Sequence, residues 1–140
     1  MRCKSIVAIS LLFCMAIAKT ASSQETLDIP IKVLGSYQKG SQTWTNLLIP
    51  RKVNQEKLVK MAKELHKAES NAYFRFFDDD KEFQQFKDWD KNYPNPAYPY
   101  PQKWVKVHHV ANIQKMTYDA SGPKWVLIKG YTMEKIADLE

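Results

Sequence analysis

Cysteine is nearly missing. The 140-residue chain has two, Cys3 and Cys14, and both lie within its first apolar stretch. Past Cys14 there is no thiol, which excludes a disulfide framework, a thiolate nucleophile and a cysteine-ligated zinc site from the rest of the chain. Long hydrophobic runs are also scarce. Ile6 to Ala18 is an apolar run of about 13 residues, too short to span a bilayer, and nothing after Ser23 resembles a second span. Glycine-rich phosphate loops, nucleophile-elbow serines and internal repeats are absent, and no cofactor signature appears.

What the chain does have begins with a leader. Arg2 and Lys4 precede the apolar run, and Ala16-Ile17-Ala18 or Ala21-Ser22-Ser23 offers a small-residue cleavage site. This predicts a cleavable secretory signal over 1–23 and a single compact domain over 24–140, exported to a periplasmic or extracellular location. A retained anchor is the weaker alternative. So is a lipoprotein at Cys14, because Phe13 is bulky where a small residue is wanted. Arg2, Lys4 and Lys19 leave with the signal and no acid does, so the formal charge falls from +6 to +3. That charge is mild and its lysines are scattered among acids, which argues against nucleic acid. No stable membrane insertion is expected after cleavage.

The remaining chain alternates strand and helix signals. Leu27–Tyr37 and Thr43–Ile49 read as a hairpin, with Pro30 favouring an edge position. A helix over 54–69 follows, capped by Asn54, with Leu58, Met61, Ala62 and Leu65 on one stripe. His66 adjoins that stripe and is expected on the helix surface. Tyr73–Phe77 is an aromatic strand, with Phe74 and Phe76 on one face and Tyr73, Arg75 and Phe77 on the other. Strand, helix, strand in that order predicts one βαβ crossover. Asp78-Asp79-Asp80 leads into a second helix over 80–92, with Asp79 and Glu82 as a capping box. Asp88 and Asp90 cannot both face the core, and one of them can pair with Arg75 or a lysine. Lys103–Val110 fits a strand or a short helix. Ala111–Tyr118 and Lys124–Lys129 read as a hairpin, and Thr132 as the cap of a short last helix. The expected fold is α+β, a mixed α/β domain with a four- or five-stranded mixed sheet packed by two main helices.

Three groups of residues carry candidate chemistry. Tyr93, Tyr98 and Tyr100 alternate with prolines in a stiff loop beside Trp104, Lys91 and Lys103. Tyrosine and tryptophan offer contact area with few torsions to freeze, so this group predicts a binding rim for an extracytoplasmic protein or an anionic cell-wall polymer. His108 and His109, with Asp88, are candidates for general acid–base work. Asp78 and Asp80 are candidate metal ligands, although their spacing does not fit a calcium loop. The leading expectation is noncatalytic binding. The alternative is a small hydrolase or metal-binding protein built on His108 and His109 with nearby aspartates.

Overall fold

The computed structural model describes residues 29–140; the predicted signal and the first residues of the predicted first strand lie outside the described residues. Six strands form one sheet in sequence order, β1 to β6. β1 (Lys32–Lys39) and β2 (Gln42–Leu48) pair antiparallel across a tight turn at Gly40. The helix α1 (Gln55–Ala68) then carries the chain back, so β3 (Tyr73–Phe77) lies parallel to β2. Every other neighbouring pair is antiparallel. Between β3 and β4 (His109–Thr117) come α2 (Phe83–Asn92), the proline–tyrosine loop and α3 (Gln102–His108). β5 (Pro123–Lys129) and β6 (Lys135–Asp138) complete the sheet.

Both faces of the sheet are covered. α1 buries Leu58, Met61 and Ala62 against Phe74, Phe76, Ile113 and Leu127. On the other face α2 and α3 bring Phe83, Phe86, Trp104 and Val105 onto Phe77. This double cover explains aromatic residues on both sides of β3. Each ring so buried contributes roughly 1.5–3 kcal/mol. Tyr73 departs from the simple alternation: at the end of β3 it also reaches the α1-side core, 4.9 Å from Trp125.

Four expectations need correction. Among the described residues the sheet has six strands, and three helices are present. Residues after Thr132 form an edge strand, not a helix. Ile136 and Leu139 suit either period, but so short a segment has little helical stability of its own, whereas β5 offers an open ladder. His66 is buried, its ring 5.1 Å from Trp125, because the α1 stripe is one position wider than the aliphatic pattern implies. The capping box at Asp79 does not form: Glu82 takes the cap position without a side-chain bond, and Asp79 instead accepts from the Lys81 N–H at 2.9 Å. Among the described residues no helix is long and apolar enough to cross a membrane.

Candidate functional site

On the α2 side of the sheet, three neighbouring strands place polar residues side by side. Asn46, Arg75 and Asn112 are register partners on β2, β3 and β4. Polar groups at the centre of a sheet must find partners or pay a desolvation penalty of about 1–3 kcal/mol. Arg75 finds Asp90, which the Phe83–Phe86–Asp90 spacing turns inward from α2. Arg75 Nη1 donates to Asp90 Oδ2 at 2.9 Å and to the Tyr37 hydroxyl at 2.9 Å. That hydroxyl donates to Asp90 Oδ2 at 2.8 Å, and Lys39 Nζ reaches Asp90 Oδ1 at 2.5 Å. The guanidinium carbon sits 3.9 Å from the Trp44 ring centroid, a cation–π contact.

These interactions set the charges. Burial of Asp90 disfavours its ionised form, but the Arg75 charge and the hydrogen bonds from Lys39 and Tyr37 outweigh it and hold the carboxyl below its usual range. Burial, opposed by the Arg75 charge, pushes the Tyr37 phenol up, so it stays a donor. Burial pushes His109 down to about 4, so its imidazole is neutral at pH 7. Its ring stacks on Phe77 at 4.8 Å, and its Nε2 meets Asn112 Oδ1 at 2.5 Å. Because the amide oxygen only accepts, Nε2 carries the proton and Nδ1 presents a lone pair.

Above this cluster lies an open cleft of about 340 Å³. Arg75, Asp90, His109, Asn112 and Gln114 form its floor, and Trp44, Trp89, Tyr100 and Tyr131 its walls. Tyr100 packs on Trp89 at 4.2 Å, with Tyr93 edge-on to the same ring at 5.6 Å. Gln85 Nε2 donates to the Pro99 carbonyl at 3.1 Å, tying the proline–tyrosine loop to α2. Gly130 allows the close approach on the far side: a Cβ there would collide with the His109 carbonyl oxygen.

The predicted site residues are divided among different places. Tyr93, Tyr98 and Tyr100 are exposed, and Tyr100 lines the cleft. Trp104 is not on the rim. It is buried, stacked on Phe77 at 5.2 Å, with its indole N–H on Asp79 at 2.9 Å. Lys91 and Lys103 are exposed and do not line the cleft. His109 lines the cleft, whereas His108 points to Asp78, Nδ1 to Oδ1 at 2.7 Å. Asp88 stands off the inward stripe of α2 and accepts from Gln84 at 2.8 Å.

The acidic triplet works as three ties. Asp78 holds the end of α3 twice, by its carboxylate and by its backbone N–H to the His108 carbonyl at 3.1 Å. Asp79 takes Trp104 and Arg51, and the Trp104 and Lys81 hydrogen bonds lower its pKa. Asp80 lies 3.6 Å from Lys32. Among the described residues no group of three or more His, Cys, Asp or Glu side chains is placed to hold a metal ion.

Lys39, Trp44, Asn112, Gln114 and Tyr131 are cleft residues that motif reasoning missed. A usable signal was present: Asn112 and Gln114 alternate with apolar residues in β4, marking a polar patch on one face of an otherwise apolar strand. Comparison with protein-family models, curated proteins and solved structures finds no match to this chain.

Proposed function

We propose that this is an exported domain that binds a ligand without chemically changing it, through the cleft over Arg75 and Asp90. The observation that carries this reading is a preformed polar floor beneath aromatic walls. A small number of fixed polar groups within apolar surroundings is the usual make-up of a ligand site. Its volume falls near the lower end of the usual range of about 300–1,000 Å³. Tyr100 sits on rigid support, so little ordering is required when it meets a ligand. The partner class that fits is a small molecule or the accessible end of an anionic wall polymer or extracytoplasmic protein.

The test is retention of extracellular material by the immobilised domain, with eluates compared by mass spectrometry. A Tyr100→Ala/Tyr131→Ala double variant that keeps its fold should lose the retained species. Unchanged retention by that folded variant would place the site elsewhere.

The His108–Asp78 contact supports a second reading, a hydrolase in which the carboxylate orients the imidazole as a general base. It predicts turnover of nitrophenyl esters that disappears in His108→Asn. The binding reading predicts no turnover above buffer by either protein.

A further inference from the structure

Hydrogen-bond capacity in the cleft is unevenly used. Arg75 spends Nη1 on Asp90 and Tyr37; among the described residues no protein acceptor meets its Nε or Nη2. Asn112 spends its oxygen on His109, and among the described residues its Nδ2 group meets no acceptor. Among the described residues the Gln114 side chain meets no hydrogen-bond partner. Among the described residues the cleft thus holds unmet N–H donors on Arg75, Asn112 and Gln114, beside two unmet acceptors, the Gln114 amide oxygen and His109 Nδ1, and the preferred complement of the donors is an oxygen acceptor.

Charge narrows the choice. Of the groups lining the cleft, Lys39 and Arg75 are cationic and Asp90 is anionic, while His109 is neutral at pH 7. One positive charge is left over. A monoanion balances it, whereas a dianionic phosphate leaves a new negative charge in a half-enclosed site, which costs desolvation without a partner. A planar guanidinium fork with an adjacent amide donor also matches the two oxygens of a carboxylate. The aromatic walls at Trp89, Tyr100 and Tyr131 call for a ring or a flat apolar body next to that carboxylate.

We infer that the cleft takes a ring-bearing monocarboxylate, its carboxylate on Arg75 and Asn112 or Gln114 and its ring against Trp89 and Tyr100. This rests on the cleft being the binding site. The ring acid can be a free aromatic acid or a sugar-acid unit of an acidic polysaccharide, and the two sources are separated by the probes.

Calorimetric titration of the purified protein decides the matter with two matched pairs: 4-hydroxyphenylacetate against 4-hydroxyphenylacetamide, and galacturonate against galactose. One acid should bind, with its uncharged mate at least about tenfold weaker. Binding by the first pair identifies an aromatic acid, by the second a sugar acid. Gln114→Leu should weaken the acid severalfold and leave the uncharged mate unchanged. Arg75→Lys should do the same more strongly if it folds; Gln114→Leu keeps the test open if it does not. Equal binding of acid and uncharged mate overturns the carboxylate inference but leaves the cleft as the site. Acid binding undiminished in a folded Gln114→Leu/Asn112→Ala variant overturns the assignment of its contacts. No binding of any probe at millimolar concentration overturns the inference, while the retention experiment with Tyr100→Ala/Tyr131→Ala still reads the cleft itself.

Discussion

Asp90 occupies the most demanding position in the molecule. Its side chain is almost fully buried, yet it stays ionised because Arg75, Lys39 and Tyr37 all converge on it. Removing it leaves Arg75 as an unpaired buried cation, so Asp90→Ala should lose about 3–5 kcal/mol in urea unfolding. Lys39→Met should lose about 1 kcal/mol or less, because 42% of the lysine side chain is exposed and solvent screens its pair. Equal losses would show that the cluster is not organised around Asp90. Part of this was readable in advance: a lone arginine in an aromatic strand must reach solvent or find a carboxylate, and the following helix offers Asp88 and Asp90. Which of the two turns inward depends on the rotation of α2, set by Phe83 and Phe86 against Phe77, a packing detail without a sequence motif.

His109 makes a pH-dependent contribution of definite sign. Its pKa falls from 6.5 to about 4 on folding, because burial disfavours the cation. In that window the unfolded chain binds the extra proton and the folded one does not, so stability rises with pH and is lost on acidification. The full effect is on the order of 3 kcal/mol. Asp90 loses its contribution only at lower pH, as its depressed carboxyl is protonated, so the two steps separate. His109→Gln keeps an amide donor towards Asn112 and should flatten the upper step in urea midpoints measured between pH 6.5 and about 4. An unchanged slope would mean that another group titrates there.

At the scale of elements, local chemistry and long-range pairing divide the work. α1 is bounded by its own residues: Asn54 accepts from the Lys57 N–H at 2.8 Å, and Asn54→Ala should cost about 1 kcal/mol. Such signals are local, which is why α1, β2, β3 and the β4–β5 hairpin were legible. β6 was not, since its strand state depends on the free edge of β5 and not on its four residues. The β5–β6 turn is fixed by contact as well. An alanine Cβ at Gly130 would lie within 2.6 Å of His109 Cγ and closer still to its carbonyl oxygen, so backbone must move. Gly130→Ala should lose upward of about 2 kcal/mol and disturb His109 in the floor of the cleft. A variant of wild-type stability would show that the turn can slide.

For the whole molecule, compartment and construction have to agree. The proposed export removes both cysteines with the leader, and residues 29–140 contain none, so an oxidising compartment adds no covalent staple. The fold compensates by packing both faces of a six-stranded sheet, α1 on one side and α2 with α3 on the other. The layered α+β class could be read from the alternating strand and helix periods. The cleft could not, because it assembles Lys39, Arg75, Asp90, Asn112 and Tyr131 from five separate stretches of chain. A domain without cysteine should not respond to reductant. Under the proposed export, the mature chain is expected to begin between Lys19 and Gln24 by N-terminal sequencing, and its thermal and urea unfolding should coincide with and without dithiothreitol. A reductant-sensitive transition would mean that Cys3 or Cys14 survives in the mature chain, and cleavage before Gln24 would have to be abandoned together with the thiol-free picture of its stability.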